Sequence, residues 1–164
     1  MPKTGTIALV AGLNRALSAE STLVSATAGT SISWAMLAAI GIRESGFLNQ
    51  NQNGGPAIGV FQIDPSQNPG TQQTASNLAA AATWAATYLN GNANNLAANF
   101  PGLSSMSLAG FSGYGDMSII ALADTYNLGL GGVKQFLNSG LDPDLGTTGE
   151  NYGQNVWQLI QCFN

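Results

Sequence analysis

The chain has 164 residues, the length of one ordinary domain. Only 7% of the residues are charged, whereas about a quarter is usual for a globular protein. A hydrophobic content of 45% still predicts folding, because disordered chains combine high charge with few apolar residues. The net charge of −4 and the absence of a basic run argue against nucleic-acid binding. The chain has no histidine, which excludes Ser-His-Asp triads and removes the commonest zinc ligand.

The N-terminal part of the chain predicts two helical stretches. Residues 1–30 predict a helical extension whose first helix buries one apolar face, made of Leu9, Leu13, Ala16 and Leu17. The same residues resemble a signal peptide only weakly, because the apolar run is short and a basic residue interrupts the small residues after it. Ser33 then predicts the N-cap of a helix over residues 34–44.

Glu44 lies in the final turn of that predicted helix. A carboxylate at this position meets the negative end of the helix dipole, so local preference disfavours it. A helix-terminal glutamate is more often a solvated surface charge, but a residue placed against local preference is also a candidate for function. Glu44 is therefore the first acidic side chain to test for a chemical role.

A hairpin and an alanine-rich helix are predicted next. Residues 45–57 are polar and rich in glycine, which is typical of a loop. Residues 58–63 are rich in β-branched and aromatic residues, which favours a strand or hairpin arm. Residues 74–90 predict an alanine-rich helix that Gly91 ends. A separate short helical turn is predicted over residues 96–100.

The C-terminal third again predicts helices. Asp116 is a good N-cap for a helix over residues 117–126, and Gly129 ends that helix before a second stretch over residues 132–138. The last helix is predicted over residues 150–162. No repeat or linker divides the chain, so a single domain is the expectation.

Three short segments resemble the motifs of a known family. They are AIGIRESGF at residues 39–47, GVFQI at residues 59–63 and TYNLGLGGV at residues 125–133. In this order they resemble the helix-end Glu-Ser motif, the Gly-x-x-Gln-Ile motif and the Tyr-Asn-x-Gly motif of glycoside hydrolase family 23. This family contains the soluble lytic transglycosylases and the goose-type lysozymes. Each motif alone is weak, but the three together are specific.

The resemblance implies a lysozyme-like domain over residues 1–164, with residues 1–30 as an N-terminal helical extension and residues 31–164 as the core that carries the motifs. The fold class expected is mainly α, of the α+β type, with a short strand or hairpin region near residues 57–64. The activity implied is cleavage of the β-1,4 bond between N-acetylmuramic acid and N-acetylglucosamine in peptidoglycan. Glu44 would be the general acid, because burial and a helix C-terminus both raise the pKa of a glutamate.

Further roles follow from the same resemblance, residue by residue. Ser45 would form hydrogen bonds near the catalytic carboxyl, and Gln62 would line the cleft beside it. Tyr126 and Asn127 would contact the sugar at the cleaved bond, including its N-acetyl group. Tyr152 partly reproduces a fourth motif, in which a tyrosine follows Glu-Thr at a longer spacing, and would be another substrate contact. Each residue also has a structural alternative, such as core packing for Tyr126.

Asp64 is the candidate for a second catalytic carboxylate. It stands where many lytic transglycosylases carry Met and goose-type lysozymes carry Asp. In an inverting hydrolase a second carboxylate activates water, about 6.5–9.5 Å from the acid. The Asp-Pro pair at residues 64–65 is also a common way to open a turn. If Asp64 points away, the remaining route is that of a transglycosylase, in which the substrate's own N-acetyl group attacks and its 6-hydroxyl then closes a 1,6-anhydro ring.

Three functions stay open on the sequence alone. The first is a peptidoglycan glycosidase, acting either as a lytic transglycosylase or as a lysozyme. The second is a chitinase-type hydrolase of the same family. The third is a non-catalytic module that binds cell-wall polysaccharide, although a binding module would not need Glu44, Ser45 and Gln62 together.

The expected partners follow from these functions. We expect peptidoglycan glycan strands as the partner, a monomeric protein and no membrane span, since no run of about 18 apolar residues occurs. No cofactor and no metal are expected, because no cluster has metal-ligand spacing. Cys162 is expected to be a small buried hydrophobe near a helix end. The protein would act in the cell wall, in the periplasm or outside the cell, as a phage lysin, a virion component or a secreted effector.

Overall fold

The computed structural model describes residues 4–163, which are mainly helical, as the sequence predicts. These residues form seven α-helices, three short 3₁₀ helices and one minimal hairpin. The chain divides into two compact units, residues 1–87 and residues 88–164. The boundary falls inside the fifth helix, and the expectation of one single domain stays a prediction.

The first unit is built around helix α3, Trp34–Ser45. Nine of its twelve residues are buried, which is typical of a helix that packs on several sides. Helices α1, Thr4–Ser18, and α2, Glu20–Thr27, contact it. Ser33 is the N-cap of α3, as predicted, because its hydroxyl accepts a hydrogen bond of 3.1 Å from the Met36 N–H.

The buried face of α1 differs from the predicted one. Ala16 is fully buried, whereas Leu9 and Leu17 are 40% and 48% exposed. Small residues face α3 because the two helices approach closely there. A Cβ atom on Gly12 would lie only 3.3 Å from the carbonyl oxygen of Gly46, which ends α3. The assignment of Leu9 and Leu17 to the buried face was therefore wrong, since close approach selects small residues over large apolar ones.

The predicted hairpin is present and very short. Ile58 and Ile63 exchange two backbone hydrogen bonds of 3.0 Å. Gly59 begins the turn between them with a φ of 77°, in the left-handed region that favours glycine. A Cβ atom at this position would also collide with the carbonyl oxygen of Ala75, in helix α4, Gln72–Ser76. Only glycine therefore lets the hairpin approach α4 this closely.

Helix α5, Leu78–Asn99, is longer than predicted, and its residues up to Thr87 belong to the first unit. Gly91 lies inside the helix and does not end it, and the turn predicted over residues 96–100 merges with it. A glycine costs a helix about 1 kcal/mol relative to alanine. This cost is small beside the burial of the helix's apolar side chains, which include Ala81, Ala82, Ala85, Ala86, Leu89 and Leu96.

The second unit holds the rest of α5 together with α6, Met117–Asn138, and α7, Tyr152–Ile160. Asp116 is the N-cap of α6, as predicted, and its Oδ1 accepts a hydrogen bond of 2.9 Å from the Ser118 N–H. Gly129 interrupts α6 with a φ of 77° and a ψ of 154°. The prediction that this glycine separates two helical stretches is thus confirmed.

The last helix is shorter than predicted, since α7 ends at Ile160 and a 3₁₀ turn, Gln161–Phe163, follows. Cys162 lies in that turn and is exposed, so the expectation of a buried thiol was wrong. The apolar face of α7 ends with Leu159 and Ile160, which are buried, and the following residues extend past it. No helix among residues 4–163 combines the length and the apolarity needed to cross a membrane.

Candidate active site

Glu44 lies in the last turn of α3, where the sequence predicts it. Its side chain is half-buried, while Ile42 and Ser45 beside it are buried. Gly46 ends the helix in the left-handed conformation, with a φ of 66°, so the backbone turns away directly after this pair of residues. The negative end of the helix dipole therefore lies beside this carboxyl group.

Ser45 joins the end of α3 to the hairpin. Its hydroxyl lies 2.8 Å from the Val60 carbonyl oxygen and 3.1 Å from the Gly41 carbonyl oxygen, and accepts a hydrogen bond of 3.0 Å from the Leu48 N–H. One hydroxyl proton serves both carbonyl oxygens. The side chain is buried, so these contacts are shielded from water. Ser45 therefore holds the hairpin against the helix end that carries Glu44.

Gln62 fastens the hairpin to the loop before it. Its Nε2 donates hydrogen bonds to the carbonyl oxygens of Gly59, at 2.7 Å, and Gln50, at 2.9 Å. Its φ of 46° is uncommon for a residue other than glycine, and such backbone strain concentrates at functional sites. The side chain is partly exposed, so Gln62 both orders the hairpin turn and lies at the surface of the first unit.

Asp64 opens a turn directly after the hairpin. Its Oδ1 accepts hydrogen bonds from the Ser66 hydroxyl, at 2.6 Å, and from the Ser66 N–H, at 2.7 Å. The hydrogen bond from the hydroxyl is the main reason why the pKa of Asp64 lies below its ordinary value. The carboxylate thus has a local partner in the turn, as in the structural alternative that the sequence left open.

Arg15 also contributes to this region, and no motif identifies it. Its Nη2 and Nε donate hydrogen bonds of 2.7 and 3.1 Å to the carbonyl oxygen of Gly46. A cation at a helix C-terminus stabilises the helix, and Gly46 is the residue that ends α3. Helix α1 therefore helps to position the helix end beside Glu44. Because 31 residues separate the two partners, no local sequence pattern could have shown this contact.

Tyr126 and Asn127 lie in the second unit, in α6 just before its interruption at Gly129. The half-buried ring of Tyr126 packs edge to face against Tyr88, with ring centroids 6.0 Å apart. Asn127 is exposed, and its Oδ1 accepts a hydrogen bond of 2.9 Å from the Thr148 N–H. Its Nδ2 lies 3.4 Å from the Thr148 hydroxyl. Asn127 thus holds the segment that precedes α7.

Tyr152 begins α7 and is only 1% exposed. Its N–H donates a hydrogen bond of 3.2 Å to the Thr147 hydroxyl. A ring this deeply buried packs in the core of the second unit, beneath the protein surface. The predicted substrate contact of Tyr152 stays a prediction.

Three acidic residues outside the motifs meet in the second unit. Asp124, Asp142 and Asp144 are all buried, and one carboxylate oxygen of each lies within 4.8 Å of the others. Burial, followed by the negative charge of Asp144, raises the pKa of Asp124 to about 9. Burial also raises the pKa of Asp142. The Asp-x-Asp spacing at residues 142–144 is the sequence signal that could have singled out two of them.

The predicted site residues fall into two groups. The first unit contains Glu44, Ser45, Gln62 and Asp64, and the second contains Tyr126, Asn127 and Tyr152. In the first group, the Ser45 hydroxyl directly links the helix that carries Glu44 to the hairpin that carries Gln62. In the second group, Thr148 links Asn127 to the segment just before Tyr152.

The motifs can be checked against known protein families. The model of the family described as Transglycosylase SLT domain matches residues 22–142, well over half of the chain. The chain belongs to this family. Membership indicates in general a function of the peptidoglycan lytic transglycosylase type, and it implies peptidoglycan as the substrate. No curated protein matches the chain.

The match with the SLT family covers most of the site. It includes every predicted site residue except Tyr152. Helix α1, with Arg15, precedes the matched residues, and Asp144 follows them. The contact between Arg15 and Gly46 therefore joins a helix outside the family match to the end of a helix inside it.

Proposed function

We propose that this SLT-family protein cleaves the β-1,4 bond between N-acetylmuramic acid and N-acetylglucosamine, with Glu44 as the acid and then the base. One observation carries the proposal. Glu44 is a half-buried carboxyl group in the last turn of the buried helix α3, at the helix end where the hairpin is held. The Ser45 hydroxyl holds it there through the Val60 carbonyl oxygen, 2.8 Å away, and this hairpin carries Gln62.

The setting of Glu44 suits the first half of the reaction. The glycosidic oxygen is a poor leaving group, so it must receive a proton as its bond to C1 of the muramic acid breaks. In this proposal the Glu44 carboxyl group, in the last turn of α3, delivers that proton. The substrate's N-acetyl oxygen attacks C1 as the bond breaks. Glu44 is left ionised, because its proton has gone to the glycosidic oxygen.

The second half of the reaction uses Glu44 as a base. Its carboxylate accepts the proton of the muramic acid 6-hydroxyl, and the freed oxygen attacks C1. The bond from C1 to the N-acetyl oxygen breaks, and a 1,6-anhydro ring forms. Glu44 is protonated again, so one carboxyl group completes the cycle and no water is consumed.

The surroundings of Asp64 favour this route over hydrolysis. A water-activating carboxylate acts as a general base, about 6.5–9.5 Å from the acid. The Oδ1 of Asp64 is engaged by two donors of Ser66, and its pKa is lowered, which makes it a weaker base. We therefore assign Asp64 to the turn after the hairpin and make its catalytic role the alternative to be tested.

Three of the remaining residues are proposed as substrate contacts, and the fourth as their support. Gln62 would line the cleft with a side chain that its Nε2 hydrogen bonds orient. Tyr126 and Asn127 would contact the sugar and its N-acetyl group, with the amide of Asn127 oriented by Thr148. Tyr152 would support these contacts from within the core. The substrate places the proposed site of action in the cell wall.

The experiment that tests the proposal is product analysis. Purified sacculi are digested with the protein, and the released muropeptides are identified by mass spectrometry. Ends with a 1,6-anhydro ring support the proposed route, whereas reducing ends that have gained water contradict it and favour hydrolysis. If the ends carry 1,6-anhydro rings, Asp64→Asn should leave the cleavage rate nearly unchanged. If they are reducing ends, the same variant should lose most of the rate.

Glu44→Gln is the matched variant for the role of the acid. It keeps the size of the side chain and removes the proton donor, so muropeptide release should stop while binding to sacculi persists. Glu20→Gln is its control, since this exposed carboxylate in the first turn of α2 should not affect activity. Full activity of Glu44→Gln would remove Glu44 from its role. Cleavage of chitin oligomers without cleavage of sacculi would favour a chitinase, and binding without cleavage a non-catalytic module.

A further inference from the structure

Two short segments of the second unit bring three carboxylates together. Asp124 lies in α6, and Asp142 and Asp144 flank Pro143 at the start of the 3₁₀ helix Pro143–Gly146. The three residues are 0%, 6% and 4% exposed, respectively. Buried carboxylates are costly unless they are protonated, paired with a cation or bound to a metal ion.

Capping explains two of these residues. Asp144 accepts hydrogen bonds from the N–H groups of Gly153, at 2.7 Å, and Gln154, at 2.8 Å, in the first turn of α7. Asp142 caps the 3₁₀ helix, and its Oδ1 accepts a hydrogen bond of 3.0 Å from the Asp144 N–H. Both residues therefore have a structural role that accounts for their position in the sequence.

Asp124 has no such explanation. It is fully buried, and among the described residues neither of its carboxylate oxygens has a hydrogen-bond partner in good geometry. Its carboxylate points to the start of α7, where a Cβ atom on Gly153 would lie only 2.5 Å from its Oδ1. The absence of a side chain at Gly153 thus leaves room for the Asp124 carboxyl group beside the start of α7.

The three side chains retain many free acceptor positions. A carboxylate offers about four. Asp144 uses three of them, for Gly153, Gln154 and the Thr147 hydroxyl, and Asp142 uses one. Those of Asp124 are unused. One carboxylate oxygen of each residue lies within 4.8 Å of the others.

We propose that Asp124, Asp142 and Asp144 bind one calcium ion. The donor set consists of oxygen atoms only, which hard divalent cations prefer over the softer ions that select thiolate or imidazole. Two oxygen atoms bound to the same ion at about 2.4 Å lie at most about 4.8 Å apart, and the three oxygen atoms meet this limit in each pair.

Burial and sequence spacing favour calcium over magnesium. Magnesium releases its water molecules reluctantly, whereas calcium accepts six to eight oxygen ligands in irregular arrangements. A site whose three carboxylates are almost completely buried has little room for a hydrated ion. The Asp-x-Asp spacing of Asp142 and Asp144 also matches the first two ligand positions of helix-loop calcium sites.

A bound ion would join α6 to the segment that precedes α7. Asn127 of α6 already holds this segment through Thr148, and the ion would add a second link through Asp124. The ion would therefore stabilise the surroundings of Asn127 without taking part in bond cleavage. Binding of the ion is independent of the proposed role of Glu44.

The experiment measures binding of the metal alone to the full chain. The protein is treated with EDTA, dialysed, and titrated with CaCl₂ or MgCl₂ in a calorimeter, and its thermal unfolding is followed with and without each ion. We expect one calcium ion per chain, at least tenfold weaker binding of magnesium, and a rise in Tm of about 5–10 °C at 100 times the Kd. Glu44→Gln should bind calcium as the unmodified chain does.

Asp124→Asn is the decisive variant, since it removes the carboxyl group that capping does not explain and keeps the shape. Calcium binding and the calcium-dependent rise in Tm should both be lost. Asp116→Asn, at the N-cap of α6, is the matched control and should bind normally. Asp142→Asn provides a second variant if the first does not fold, because asparagine keeps the cap.

Three results would overturn the proposal. The first is the absence of both heat and stabilisation up to about 10 mM calcium, which exceeds the Kd of the weakest protein modules that bind calcium. The second is unchanged calcium binding in Asp124→Asn or Asp142→Asn. The third is tighter binding of magnesium than of calcium. None of them depends on cleavage of sacculi, so a failure here is distinct from a failure of the proposed function.

Discussion

The carboxyl groups of the two units are placed in opposite ways. In the first unit, Glu44 is half-buried, and the polar side chains that order its surroundings, Ser45 and Arg15, bond to backbone carbonyl oxygens. In the second unit, Asp124 and Asp144 are buried, and Asp144 bonds directly to the first turn of a helix. A group proposed to exchange protons is thus positioned through its helix, whereas the buried carboxyls act on the fold itself.

The largest expected effect separates chemistry from folding at Glu44. Glu44→Gln should reduce sacculus cleavage by at least about 10²–10⁴-fold, the usual contribution of a general acid or base. Its Tm should change little, because the side chain is half-exposed and the variant keeps its size. Muropeptide release and thermal unfolding measure the two effects. A parallel loss of Tm and activity would show that Glu44 serves the fold and would break the comparison.

Asp144→Ala should show the reverse pattern, with a loss of stability. The variant leaves the Gly153 and Gln154 N–H groups without their acceptor, whereas the Thr147 hydroxyl keeps the Asp144 carbonyl oxygen at 2.8 Å. We expect the free energy of unfolding to fall by about 2–4 kcal/mol, measured by urea denaturation. Asp116→Ala is the control, since that cap is more exposed and should cost only about 1 kcal/mol. Equal losses in both variants would show that burial adds nothing to the cap.

Arg15→Ala tests whether α1 positions the end of α3. Loss of the two charged hydrogen bonds to Gly46 should lower the free energy of unfolding by about 1–2 kcal/mol in urea denaturation. Arg15→Lys should recover part of this loss, because lysine keeps the charge at the helix C-terminus but not the paired donors. If the Arg15→Ala variant were as stable as the unmodified chain, the contact with Gly46 would not contribute to stability.

The smallest effect concerns the pKa of Asp64. Because this pKa lies below the ordinary value of 3.8, the ionised form of Asp64 favours folding above that pH. The contribution is lost as the pH falls through the lowered pKa. Ser66→Ala removes the hydroxyl that contributes most, so the pKa should rise toward its ordinary value. Titration by NMR measures the change, and an unchanged pKa would contradict the assignment of Asp64 to the turn.

Local sequence signals predicted most of the helices and the hairpin. The caps at Ser33 and Asp116 are correct, since each forms its hydrogen bond within three residues. The hairpin at residues 58–63 is correct for the same reason. The signals failed at Gly91, where tertiary packing of a long helix outweighs a glycine. They also failed at Cys162, because the apolar face of the last helix ends before it.

The candidate site was predictable to a similar degree. The motifs identified Glu44 and its hairpin, and the family match supports the motifs. The motifs could not show that Asp64 bonds to Ser66, or that the ring of Tyr152 is buried. Both facts depend on where a side chain points, which the identity of its neighbours in sequence does not determine.

The sequence by itself thus determined the family, the helical class and the position of a glutamate at the end of α3, because these depend on patterns within a few consecutive residues. Only the tertiary structure showed the contact of Arg15 with Gly46 and the cluster around Asp124. The partners in these contacts come from different elements of the chain. These residues come into contact because the elements that carry them pack closely together. The periodicity of the sequence does not encode that packing.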